Sequence, residues 1–129
     1  MLSRKNRMVR ADDFKTTFRR GSRAVTPRII VHAQADKSLA ESVLVGFVVP
    51  KKQIAKATGR NLVKRRLRAS IGEQLPNIPG GTRIVVQAKA AAREASYETL
   101  AGDLEKSLPK AIARAQEMAA KREGEVVNA

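Results

Sequence analysis

Between Ser42 and Gly72 the chain carries Lys51, Lys52, Lys56, Arg60, Lys64, Arg65, Arg66 and Arg68, and no carboxylate at all. On a helix of 3.6 residues per turn, Asn61, Lys64, Arg65 and Arg68 fall within an arc of roughly 100°, opposite the side bearing Val63 and Leu67. Basic side chains at i, i+4 repel by roughly a few tenths of a kcal/mol per pair, and cations in a first turn oppose the helix dipole. A solvated face ordinarily intersperses both signs. This face instead suits phosphates: arginine forks hold two oxygens at once, Asn61 can bridge to sugar or base, and a helix N-terminus adds unpaired N–H groups.

Other chemistry is sparsely provided for. His32 is the chain's one histidine, and a lone histidine on a strand is usually structural. Asp12 and Asp13 point to different sides of any regular element, so they do not form a shared metal site by themselves. With no cysteine, disulfides, thiolate metal sites and thiol catalysis are excluded together, which fits a reducing cytoplasm. No pattern of histidines and spaced carboxylates resembles a protein-borne nuclease centre. The expectation is therefore no catalytic residue, no metal site and no cofactor on the protein. Phe14 and Phe18, at i and i+4, are either core anchors of a first helix, the commoner role, or a platform for unpaired bases.

The elements that must position these residues follow from composition and period. A chain of 129 residues supports one domain with a real core, expected over residues 1–120, and with an aromatic share of 3% that core is aliphatic. Lys and Arg number 26 against 12 Asp and Glu, a net charge of +14 that repels itself unless a polyanion offsets it. Nucleic acid is the first candidate partner and an anionic membrane surface the second. The N-terminus is basic but interrupted by Arg10, Asp12, Asp13 and Lys15 rather than forming a secretory core. The longest aliphatic stretch, Val43 to Pro50, is far short of the ~20 residues that span a bilayer. A cytoplasmic protein is expected.

Ala11 to Arg20 reads as a short helix with Gly21 just past its end. Val25 to Ala35 has the β-branched density of a strand, with Ile30 and His32 on one face and Ile29, Val31 and Ala33 on the other. Val43 to Val49 is nearly continuous in apolar residues, which predicts a central strand ended by Pro50. Arg60 to Gln74 is an amphipathic helix on Val63, Leu67 and Ile71, and Pro76 with Pro79-Gly80-Gly81 forces a loop. Arg83 to Ala88 is a further strand. Ser96 caps a last helix on Leu100, Leu104, Leu108 and Ile112, which Pro109 should kink or interrupt. Residues 121–129 offer little to bury and are expected to fray. The order is α+β, one small sheet covered by helices.

Two stretches, Val45-Gly-Phe-Val-Val-Pro-Lys-Lys52 and Ala57-Thr-Gly-Arg-Asn-Leu-Val-Lys-Arg-Arg-Leu-Arg68, resemble the ribonuclease P protein family: a strand ending in Lys-Lys, a connector, then a helix opening Arg-Asn-x-x-Lys-Arg-x-x-Arg. Arg7-Met8, Asp13-Phe14-x-x-x-Phe18, Gly21 and Ile84-Val85-Val86-Gln87-Ala88 agree, so the resemblance covers roughly residues 4 to 115. It implies an αβββαβα fold with a short strand around Ser22 to Val25 and a left-handed βαβ crossover, an exception to the usual hand. It implies an accessory protein subunit whose RNA partner, ribonuclease P RNA, holds Mg²⁺ and removes the 5′ leader of precursor tRNA. By position, Lys51, Lys52, Arg60, Asn61, Lys64, Arg65 and Arg68 would dock the catalytic RNA, while Phe14, Phe18 and His32 would line a cleft for the leader. His32 departs from the larger aromatic ring often found there. No membrane and no small-molecule substrate is implied. The rival readings are a ribosome-associated RNA-binding module and a metal-dependent nuclease built on Asp12, Asp13 and His32. A helix-turn-helix fits less well, because strand and connector precede Arg60.

Overall fold

The computed structural model describes residues 2–128, with side chains described through residue 123. Three α-helices and four strands follow in the order α1 (Ala11–Arg20), β1 (Ser22–Val25), β2 (Ile29–Ala35), β3 (Val43–Val48), α2 (Ala57–Gln74), β4 (Thr82–Ala88) and α3 (Tyr97–Asn128). This is the α+β order expected. The sheet runs β1-β2-β4-β3, antiparallel except for the parallel pair β3 and β4, which α2 joins. The short β1, which periodicity does not reveal, pairs Ser22 with Ala33 through Val25 with Ile30.

One sheet face and two helices make the core. Val63, Leu67 and Ile71 of α2 and Leu100, Leu104 and Leu108 of α3 pack on Ile29, Val31, Val45, Ile84 and Val86, each burial contributing about 1.5–3 kcal/mol. Ser96 caps α3, its hydroxyl accepting from the Thr99 N–H at 3.1 Å.

Three local expectations change. The apolar run of β3 marks an edge strand and not a central one, because the N-terminal segment covers its outer side. There the Met8 N–H donates to the Val45 carbonyl at 2.8 Å, and Asn6 Nδ2 to the Val43 carbonyl at 3.0 Å. Pro109 does not interrupt α3, which continues through it. Pro109 is exposed, so water can serve the Glu105 carbonyl that the ring leaves unpaired. Gly21 does follow α1 but with φ of −83°, so its role is close approach: a Cβ there would lie 2.3 Å from the Thr17 carbonyl and 2.8 Å from that of Ala33. The expected fraying of 121–129 falls mostly on residues whose side chains lie outside the described part.

The second sheet face is polar, presenting His32, Gln34, Arg83 and Gln87, and α1 lies over it. Thr17 is the sole buried residue of α1, so charge must do much of the docking. Arg83 Nε donates to Asp13 Oδ1 at 2.9 Å, and Arg83 Nη1 pairs with the Asp36 carboxylate and reaches Gln34 Oε1 at 3.4 Å. The Arg83 side chain is 12% exposed. Arginine suits this place because its rigid fork serves two carboxylates at once.

The bond from Arg83, more than the Ser38 contacts, pulls Asp36 from 3.8 down to about 2. A carboxylate depressed on folding contributes stability that is complete above its unfolded value near 4 and is lost as pH falls from there toward 2. Melting temperature measured across that window should fall more steeply for the native chain than for Asp36→Asn. Parallel curves would refute the coupling.

Candidate nucleic-acid interface

Pro50 ends β3 and turns the chain through Lys51 and Lys52, both exposed. The connector is fastened at Ile54, which is buried, and at Gln53, whose Oε1 accepts from the Ala90 N–H at 2.9 Å. Arg60 closes this turn on the helix, with Nη1 donating to the carbonyls of Ile54 at 3.0 Å and Ala55 at 2.6 Å. Gly59 permits the approach of the segment after β4, since a Cβ there would lie 2.6 Å from Arg93 Nε. Lys56 occupies the N-cap of α2 with no side-chain hydrogen bond, and no acid lies in the first turn. The helix therefore starts with open N–H groups and local positive potential, an arrangement ready for an anion.

With Val63, Leu67 and Ile71 fully buried, the opposite side of α2 must face outward. Asn61 and Arg65 are exposed, and Lys64 and Arg68 half-buried, so the arc expected from the helical period is assembled. Arg68 lies over Phe47, 5.8 Å from the ring centroid, a cation–π contact that steadies the guanidinium. Its buried Nε has no hydrogen-bond partner among the described residues. Arg66 turns away, donating from Nη1 to the Ala95 carbonyl at 2.6 Å. Arg60 is partly committed to the connector, so it both shapes the interface and belongs to it.

The aromatic residues divide. Phe14 lies against Gly46, where an added Cβ would come within 2.4 Å of its Cε1. The missing side chain lets the ring rest on β3 beside a shallow hollow of about 150 Å³ that Lys64, Arg68, Arg7 and Phe47 also line. Phe14 thus joins the polar sheet face to the cationic face of α2. Phe18 is 41% exposed and meets His32 edge-on, with ring centroids 4.7 Å apart. His32 is buried; its Nε2 pairs with Gln87 Oε1 at 3.0 Å, and its Nδ1 is buried without a partner among the described residues. Burial lowers its pKa below 6.5, the Gln87 bond opposing and Arg23 adding to the shift. The imidazole is a neutral support behind Phe18 rather than an open stacking plane.

Sequence reasoning overlooked Arg83 and Gln87. An arginine at the start of an otherwise aliphatic strand is a signal for the first; Gln87 required the register that sets it opposite Ile30. Among the described residues no three His, Asp or Glu side chains converge to hold a metal ion. Asp13 is paired with Arg83, and Asp12 is exposed. No described helix is long and apolar enough to cross a membrane.

The family described as Ribonuclease P matches residues 2–112. The chain is 38% identical over 119 residues to the ribonuclease P protein component of Streptomyces bikiniensis, covering 87% of this chain and 96% of that one. It is 42% identical over 108 residues to that of Beutenbergia cavernae, with 84% and 89% covered. A solved RNase P protein of Staphylococcus aureus superposes with a TM-score of 0.74 at 23% identity, over 83% of this chain and 97% of that one, and so shares the fold.

Because His32 is the one histidine, its ring protons can be followed by NMR without ambiguity. The titration midpoint should lie below 6.5, and Gln87→Ala should lower it further by removing the bond that favours the cation. A depressed histidine contributes stability present above about 6.5 that is lost as pH falls through its folded value. A midpoint at or above 6.5 would contradict the buried neutral ring.

Proposed function

The chain belongs to the ribonuclease P protein family, and from that premise we propose a division of labour between its two faces within a ribonucleoprotein. Ribonuclease P RNA docks on Lys51, Lys52, Arg60, Asn61, Lys64, Arg65 and Arg68. The single-stranded 5′ leader of a precursor tRNA runs along the polar sheet face, where Phe18 offers an exposed ring backed by His32 and Phe14 leads toward α2. The observation that carries this reading is the arc of Asn61, Lys64, Arg65 and Arg68 on a helix whose first turn has neither cap nor acid.

In this reading the protein supplies no reacting group. Hydrolysis would draw its activated water from Mg²⁺ held by the RNA, and the protein alone would cut nothing. Its own side chains position and screen. The side chains of Lys64 and Arg65, which make no hydrogen bond among the described residues, are free to displace counterions from phosphates. Where two RNA strands crowd together, these cations take over screening that Mg²⁺ would otherwise provide, so the ribozyme's Mg²⁺ demand falls. The protein binds no small-molecule substrate and works in the cytoplasm.

Single-turnover cleavage of a precursor tRNA by the organism's own ribonuclease P RNA at low Mg²⁺ tests this. Wild-type protein should restore cleavage. Lys64→Ala/Arg65→Ala should fail to do so at the same concentration, with the melting temperature unchanged and the salt dependence of RNA binding flattened by about 1.4–1.8 units of slope. Phe18→Ala should weaken binding of leader-bearing precursor relative to mature tRNA by about fivefold, as the loss of stacking worth about 1 kcal/mol requires. Wild-type protein with no effect on cleavage would overturn the reading.

A further inference from the structure

The stretch of α3 beside the β1 edge carries a second run of cations, apart from the cationic face of α2 and from the polar sheet face. Lys106, Lys110 and Arg114 follow at i, i+4 and i+8 on α3, and all three are exposed. β1 is docked to this helix by Ser22, whose hydroxyl donates to the Ala111 carbonyl at 2.6 Å, and by Arg114 Nη1, which donates to the Arg23 carbonyl. Between the turn after β1 and α3 lies a groove of about 330 Å³. Its one carboxylate, Asp103, is already held by Arg28 through bonds of 2.7 and 3.2 Å. Lys89 closes on the same turn, its Nζ donating to the Thr26 carbonyl at 2.9 Å. Glu117 follows one turn beyond Arg114 as the next acid on that side.

Like charges at helical spacing repel here as they do on α2, and no acid lies among Lys106, Lys110 and Arg114 to offset them. Phosphates on α2 do not relieve this. The β1 and β3 edges are three strand intervals apart, about 14 Å at ~4.8 Å each, which exceeds a screening length of about 8 Å. The groove's lining contains no aromatic ring, so it offers grip on a backbone without stacking on bases.

We propose that Lys106, Lys110 and Arg114 form a second docking surface for RNA backbone, taking a segment of the RNA partner separate from the one on α2 and without regard to base sequence. This rests on the reading that ribonuclease P RNA docks on α2, and the experiment separates the two. Since the chain has no cysteine, Lys110→Cys and Lys64→Cys each accept a single iron–EDTA tether on the full chain, bound to the organism's ribonuclease P RNA without precursor tRNA. Cleavage of one RNA region from position 64 and of a second, distinct region from position 110 is the expected result. Cleavage from position 64 alone, or of the same region from both, overturns the second surface. Cleavage from neither overturns the RNA-docking reading itself. Independently, Lys106→Ala/Lys110→Ala should reduce the slope of log affinity against log salt by about 1.4–1.8, that is ~0.7–0.9 for each phosphate released. Neither lysine side chain makes a hydrogen bond among the described residues, so the melting temperature should hold. An unchanged slope overturns the proposal.

Discussion

Arg83 enters the sheet at the start of β4 with its side chain on the polar face, where it holds Asp13 of α1 and Asp36 beyond β2 together. Everything on that face depends on this ion pair network, because α1 has little apolar surface with which to dock itself. Phe14 is half-buried, Phe18 is substantially exposed, and only Thr17 is fully covered. If Arg83 were lost, Asp13 and Asp36 would face a partly desolvated site unpaired, an arrangement costing more than the pair itself is worth. The ring of Phe18 stands over His32 because Asp13, five residues earlier on the same helix, is anchored.

The other constraint is charge. A net charge of +14 opposes a compact fold, and the structure lessens that repulsion only in part: Arg83 and Arg28 meet carboxylates, Arg66 and Arg60 meet carbonyls, and Arg68 meets an aromatic face. The cations so used are those that hold elements together. Those left open, Lys51, Lys52, Lys64 and Arg65 around α2 and Lys106 and Lys110 on α3, have no side-chain partner among the described residues. A polyanion makes sense of both groups, with affinity set by the number of phosphates met.

The aliphatic core explains how so much charge is carried without loss of the fold. Leu, Ile and Val from α2 and α3 seal one face of the sheet, leaving the other for polar work. Gly46 and Gly21 let α1 and its ring approach strands more closely than any side chain would allow. Gly46 meets Phe14 and Met8, both far from it in sequence, whereas Gly21 fits between the end of its own helix at Thr17 and β2 at Ala33.

The sequence by itself determined whatever depends on local period and punctuation. The apolar side of α2 at Val63, Leu67 and Ile71 leaves Asn61, Lys64, Arg65 and Arg68 together on an arc that flanks it and turns outward. Pro50, Gly21 and Ser96 bracket their elements, and the motif from Val45 to Arg68 carried the family and with it the short β1. Only tertiary structure decided which groups find partners across the chain. Nothing local reveals that β3 is an edge covered by Met8, that Pro109 sits harmlessly on the exposed side of α3, or that Arg60 turns back on Ile54. Nor does it reveal that His32 spends its Nε2 on Gln87 and backs Phe18 edge-on. The reason is physical: period fixes the direction of a side chain relative to its own element, whereas pairing, burial and charge compensation are set by contacts between elements distant in sequence.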